Sequence, residues 1–134
     1  MRDAVLEILE PGEAIIATWA TRGIGANALV CTGTRALIAK RAELIRWSVT
    51  AFPYAEIAAV EVLDGRPGAA TELVLVPPES EQTARPGPFD DFPDAYFQES
   101  RRLVAPNTLV LRSRRRATQA AETVRSLIAE HASR

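Results

Sequence analysis

The apolar residues of this chain fall in short runs that have the lengths of β-strands. The clearest pair, residues 28–31 and 36–39, flanks a turn-type tetrapeptide at 32–35, and this arrangement predicts a β-hairpin. Both runs are apolar on both sides, which is typical of strands that are covered on two faces. We therefore expect this hairpin to lie in a core or under a covering helix, with the other strands arranged around it.

Strict alternation marks the strand that follows the hairpin. The odd positions of residues 45–51 are apolar and the even positions are polar, which predicts an antiparallel strand with one buried face. A strand is also predicted at 13–21, where Ile15 and Trp19 would point inward. The remaining strands are predicted at 57–63, 71–76 and 108–112.

Helical spacing of apolar residues occurs at the two ends of the chain. In residues 2–9 it predicts a short helix that packs Leu6 and Leu9 onto the body. Residues 114–130 carry an amphipathic stripe, and Ser113 is placed to cap the helix that this stripe predicts. The stripe consists of Ala117, Ala120, Ala121, Val124, Leu127 and Ile128.

The composition is that of an ordinary soluble protein. A length of 134 residues with 47% hydrophobic residues predicts a single domain spanning 1–134, and the net charge of −1 gives no general attraction to nucleic acid or anionic membranes. Cys31 is the sole cysteine, which excludes an intramolecular disulfide and favours a buried, unreactive thiol. Acidic residues near the N-terminus argue against a signal peptide, so we expect a cytoplasmic protein.

Three short motifs resemble those of bacterial pleckstrin-homology-like (PH-like) domains, particularly the short and YokE-like groups. Leu9-Glu-Pro-Gly-Glu13 is similar to the family's lead-in to the first strand, residues 29–38 to its hairpin, and residues 52–60 to the segment before its fifth strand. The resemblance covers about residues 6–76 and 107–131. It implies a mainly β fold, in which a PH-like antiparallel barrel or sandwich of seven strands is capped by a C-terminal α-helix.

Residues 77–106 depart from this resemblance as an insertion before the last strand. The segment contains six prolines, and a short helix is predicted at 94–104. Its aromatic residues either fold back over the open side of the barrel or form an anchor patch for a partner or a neighbouring subunit. These aromatic residues are Phe89, Phe92, Tyr96 and Phe97.

The residues needed for catalysis are scarce in this sequence. His131 is the only histidine and lies at the end of the predicted C-terminal helix, and the sequence has neither a Gly-rich phosphate loop nor zinc-ligand spacing. The acidic residues of the insertion lack the regular spacing of a calcium loop, so turn and helix-start roles explain them better. These are Asp90, Asp91, Asp94 and Glu99.

We therefore expect an interaction module rather than an enzyme, with no metal and no cofactor. The expected partner is a protein or peptide, bound either at an exposed strand edge, which can accept an extended segment, or at the aromatic patch of the insertion. A homo-oligomer is one form that such binding would take.

A cluster of arginines near the C-terminal helix supports a different hypothesis. These residues either form a solvated face or bind an anionic small ligand or a lipid headgroup, and a headgroup would bring the protein to a membrane. Nucleic-acid binding is not expected, because aromatic residues do not interleave with the basic ones. The cluster consists of Arg112, Arg114, Arg115 and Arg116.

The hairpin and the segment after it also carry local expectations. Gly33 suits a turn that needs a positive φ, and Thr32 and Thr34 can bond turn amides. Arg35 is placed to pair with Glu56. The Tyr54 ring can be buried while its hydroxyl keeps a hydrogen bond.

Overall fold

The computed structural model describes residues 2–22, 26–41, 46–64, 71–78 and 106–134. The described residues are mainly β, with seven strands, two α-helices and one short 3-10 turn. The predicted helix at 94–104 lies outside the described residues. The elements are α1 Arg2–Ile8, β1 Ile15–Ala20, β2 Asn27–Thr32, β3 Arg35–Arg41, β4 Trp47–Pro53, the 3-10 turn Tyr54–Glu56, β5 Ala59–Leu63, β6 Thr71–Val76, β7 Thr108–Leu111 and α2 Arg114–Ala132.

The strands form two antiparallel sheets. One has the order β1-β2-β3-β4 and the other the order β5-β6-β7, so every neighbour in a sheet is also a neighbour in sequence. The predicted hairpin β2–β3 is confirmed by its backbone pairing, and the predicted strands β5 and β6 pair with each other in the same antiparallel way. Among the described strands, no continuous ladder of hydrogen bonds joins the first sheet to the second.

The hairpin at the centre of the first sheet is buried on both faces, as the sequence predicts. Leu29 and Cys31 of β2 belong to the main core, which also receives β5, β6, β7 and α2. Ala28 and Val30, the alternate residues, belong to a smaller cluster with Val5 of α1. One face of the sheet therefore lies in a core and the other lies under a covering helix.

Two expectations about the N-terminal residues are wrong. In α1, Val5 is the buried residue at 2% exposure, while Leu6, which the sequence predicts to pack inward, is 49% exposed. Leu9, just after the helix, packs against the small cluster as predicted. In β1, Ile15 is 44% exposed because a bulge shifts the register between Ile15 and Ala17. Trp19, beyond the bulge, packs against the main core as predicted.

Asn27 joins the two sheets through its side-chain amide. Its Nδ2 group donates to the Val110 carbonyl at 2.8 Å, and its Oδ1 accepts from the Val110 N–H at 2.7 Å. The amide thus gives β7 the pair of bonds that a neighbouring strand would supply. Because Asn27 is only 3% exposed, these bonds satisfy polar groups that water does not reach.

The C-terminal helix α2 closes the main core. The predicted stripe is buried at Ala117, Ala120, Ala121 and Val124, and the small alanines allow the helix to lie close to the second sheet. The Ser113 hydroxyl accepts a hydrogen bond from the Arg116 N–H at 3.4 Å, which confirms the predicted N-cap.

Candidate functional site

Three of the four edge strands among the described residues are bonded along their outer side by groups from elsewhere in the fold. On the β7 edge, the Asn27 side chain bonds the N–H and C=O groups of Val110, as described above. The β5 edge is met by Arg125 of α2, whose Nη2 group donates to the Val60 carbonyl at 2.7 Å. On the β1 edge, the Arg116 Nη2 group donates to the Ala20 carbonyl at 3.2 Å. These contacts reduce the number of backbone groups that each of the three edges can offer to another chain.

Among the described strands, none pairs with the outer edge of β4. The Tyr54 N–H donates to the Thr34 carbonyl at 3.2 Å, and in an antiparallel ladder the bonded residues alternate with residues whose backbone groups point away. Trp47, Val49 and Ala51 are therefore the outward residues of β4. Within the described part of the chain, no hydrogen bond reaches their outward N–H and C=O groups.

A cleft of about 340 Å³ adjoins this edge. Its wall includes Phe52 and Ile57, which are anchored on the main core, and Leu75, which is almost fully buried. Asn107 stands on the other side, where its Nδ2 group donates to the Leu75 carbonyl at 3.0 Å and its carbonyl accepts from the Leu75 N–H. The cleft is thus a mainly apolar concavity beside a row of unused backbone groups.

Glu13 bonds the hairpin turn and pairs with Arg35, the arginine that the sequence predicts to pair with Glu56. The Arg35 Nε and Nη2 groups donate to the Glu13 carboxylate at 2.9 and 2.8 Å, and Nη2 also donates to the Ile8 carbonyl. The Arg35–Glu56 prediction is wrong, because the lead-in between α1 and β1 places Glu13 over the turn. Arg35 bonding holds the pKa of Glu13 at about 2.

The turn itself is held by hydroxyl groups. The Thr32 Oγ1 accepts from the N–H groups of Thr34 and Arg35, as predicted, whereas the Thr34 hydroxyl donates to Glu13 instead of bonding a turn amide. The Tyr54 hydroxyl donates to the Thr32 carbonyl at 2.6 Å, and its ring is buried as expected. This network fixes the 3-10 turn that begins directly after β4.

The glycine that needs a positive φ lies elsewhere than predicted. Among the described residues, only Gly12 has a positive φ, of 82°, in the turn between α1 and β1. There the Glu13 N–H donates to the Glu10 carbonyl at 3.0 Å. Gly33 has no such backbone conformation, so its expected role is wrong.

The structure divides the predicted arginine cluster. Arg112 and Arg116 line a cavity of about 280 Å³ together with Arg22, which comes from the distant β1–β2 connection. Arg114 instead pairs with Asp64 at 3.3 Å, and Arg115 is exposed without lining this cavity. The sequence does not indicate that Arg22 belongs with these arginines, because nothing local shows that β1 ends beside α2.

Cys31 and His131, the single cysteine and the single histidine of the sequence, line neither the cleft nor the arginine cavity. Cys31 is fully buried, and this burial raises the pKa of its thiol to about 11, as expected for an unreactive thiol. His131 is partly buried near the end of α2, with its ring 6.2 Å from that of Tyr54.

The predicted aromatic patch and acidic cluster of the insertion lie outside the described residues. Both therefore stay predictions. The first comprises Phe89, Phe92, Tyr96 and Phe97, and the second Asp90, Asp91, Asp94 and Glu99.

Comparison with known proteins gives no relative for this chain. No protein-family model matches it, and neither the curated proteins nor the solved structures contain a match. The resemblance to PH-like domains therefore rests on the sequence motifs and on the order of the elements. Across the described residues, no helix is both long enough and apolar enough to cross a membrane.

Proposed function

We propose that this chain is a non-enzymatic, PH-like interaction module that binds an extended segment of a protein partner along β4. The open outer edge of β4, lying beside an apolar cleft, is the observation that carries this proposal. Seven antiparallel strands followed by one closing helix, with a four-stranded and a three-stranded sheet, support the PH-like part of it.

The outward groups of β4 are suited to pair with another strand. Trp47, Val49 and Ala51 repeat at every second residue, about 7 Å apart, so they match roughly five residues of an extended segment. Main-chain bonds to these groups give affinity for any such segment. Side chains on the inner face of the added strand would enter the cleft beside Phe52, where an apolar residue is favoured.

A peptide library tests this proposal. Random peptides displayed on phage are selected on the wild-type protein, and the enriched peptide is synthesised and titrated against variants. Ala51→Pro removes one outward N–H of β4, and we expect it to weaken binding about tenfold, because the added strand loses a main-chain bond at a constrained edge.

Thr18→Pro is the matched control. Thr18 is exposed and is an outward residue of β1 by the same alternation, since the Thr21 N–H donates to the Asn27 carbonyl on the opposite side of the strand. We expect Thr18→Pro to leave peptide binding unchanged.

Hydrogen exchange gives a second measurement. The Val49 N–H should exchange more slowly with solvent when the peptide is bound. Failure to enrich any peptide, or equal binding by both proline variants, would overturn the proposal.

The arginine cavity supports a second candidate function, the binding of a phosphate-type anion. Arg22, Arg112 and Arg116 line one concavity, and the Arg116 Nη2 also donates to the Ala20 carbonyl at 3.2 Å. Guanidinium forks match phosphate oxygens in geometry as well as charge. An anion could come from a soluble compound or from a lipid headgroup.

Inorganic phosphate and lipid vesicles separate these two sources. We expect Arg112→Gln to lower phosphate affinity at least fivefold, whereas Arg115→Gln, outside the cavity, should have little effect. Binding to phosphatidylserine vesicles with the same dependence on Arg112 would indicate a headgroup site. Equal effects of the two variants would show non-specific attraction and exclude the cavity as a site.

A further inference from the structure

Among the described residues that line the β4 cleft, the single charged side chain is acidic. Glu56 lines the cleft and is exposed, and among the described residues around it none is basic. Within the described part of the chain, the Glu56 carboxylate makes neither a salt bridge nor a hydrogen bond. Arg35, its expected partner, is held by Glu13, so the fold does not supply a positive charge to Glu56 from that side.

The backbone holds Glu56 at the end of the open edge. Glu56 closes the 3-10 turn that follows β4, and the Ile57 N–H donates to the Tyr54 carbonyl at 3.2 Å across this turn. Tyr54 is 1% exposed and bonded to Thr32, so the turn is fixed on the core. The backbone of Glu56 therefore stands at a fixed place relative to Ala51 and the apolar wall of the cleft, with its side chain at the rim.

We infer that Glu56 makes the β4 site selective for partner segments that carry a basic residue beside an apolar anchor. This inference rests on the proposed function, because it names the chemistry of the segment that β4 would bind. The apolar side chain fills the cleft next to Phe52 and Ile57, and the lysine or arginine of the partner meets the Glu56 carboxylate at the rim. Complementary charge at a rim contributes mainly specificity and the rate of association.

A simpler explanation is that Glu56 is only a solvated turn residue. In that case the site would prefer apolar extended segments regardless of their charge. The two explanations differ in one measurable quantity, which is the coupling between Glu56 and a basic residue of the bound peptide.

The experiment uses the peptide enriched on the wild-type protein. We expect enriched peptides to share a basic residue at a fixed spacing from an apolar one. Replacing that basic residue by glutamine, or Glu56 by glutamine, should each weaken binding about two- to fivefold, the range of an exposed ion pair. Combining both changes should cost no more than either alone, and the effect should shrink as salt rises.

Glu61→Gln is the matched control. Glu61 is exposed on β5 and does not line the cleft, so its loss should leave peptide affinity unchanged. Enriched peptides without a shared basic residue would overturn the inference. So would equal affinity of the Glu56→Gln and Glu61→Gln variants, while the loss caused by Ala51→Pro would still uphold the proposed function. No enriched peptide at all, or no effect of Ala51→Pro, would overturn both.

Discussion

Glu13 shows how one side chain can define a local structure. Its carboxylate accepts bonds from two hydroxyl groups and from both the Nε and Nη2 of Arg35, and the side chain is only 6% exposed. These bonds tie the lead-in to β1 onto the β2–β3 turn. A residue that the sequence presents as part of a short motif is therefore the electrostatic centre of one end of the sheet.

This arrangement makes stability depend on pH through Glu13. The pKa of Glu13 is lowered from 4.5 to about 2, so its contribution is present above about pH 4.5 and is lost as pH falls towards 2. We expect Glu13→Gln to lower the free energy of unfolding by about 2–3 kcal/mol near neutral pH, because Arg35 loses its partner. Urea unfolding at a series of pH values should show this difference shrinking over that window.

Glu7→Gln is the control for this measurement. Glu7 is exposed on α1, so its variant should follow the wild type throughout. A difference between wild type and Glu13→Gln that is the same at all pH values would show that the loss comes from packing rather than from ionisation.

At the scale of elements, the periodicity of the sequence correctly predicts which side chains are buried where burial follows from the local pattern alone. The apolar runs of β2 and β3 indicated burial on two sides, and the stripe of α2 indicated its buried face. Both are local properties, because side chains alternate with period 2 in strands and recur every three or four residues in helices. These predictions are confirmed nearly residue by residue.

Periodicity does not predict burial or ion pairing where these depend on contacts between residues that are distant in sequence. A bulge moves Ile15 out of the core, yet nothing in the alternation of β1 marks where the register shifts. Arg35 has acidic residues on both sides in sequence, and only the path of the chain from α1 to β1 selects Glu13 over Glu56. Ion-pair partners and bulges depend on tertiary geometry, which periodicity does not contain.

The position of the candidate site also depends on contacts between residues that are distant in sequence. The sequence predicts an exposed strand edge, but which edge is left unbonded depends on Asn27, Arg116 and Arg125, each of which bonds a strand far away in sequence. The cleft likewise joins residues of β4 with Leu75 and Asn107. The sequence could therefore indicate the kind of surface, whereas its position follows from the assembled sheets.

At the scale of the whole molecule, the first sheet separates two clusters of unequal size. The main core includes most buried residues of both sheets and α2, while the smaller cluster contains Val5 of α1 with four residues of β2 and β3. A seven-residue helix is too short to be stable alone, so α1 depends on docking. Its docking rests on the buried Val5 side chain and on the bond from Arg35 to the Ile8 carbonyl.

Val5→Ala tests whether α1 is a separately unfolding unit. We expect it to cost about 1–2 kcal/mol, because two carbons are removed from a buried site. Hydrogen exchange should become faster in α1 while the amides of α2 keep their protection, since α2 packs in the other core. Leu6→Ala, at an exposed position of the same helix, should change neither. Faster exchange in both helices with Val5→Ala would instead mean that the two clusters unfold together, and that the sheet transmits the loss from one face to the other.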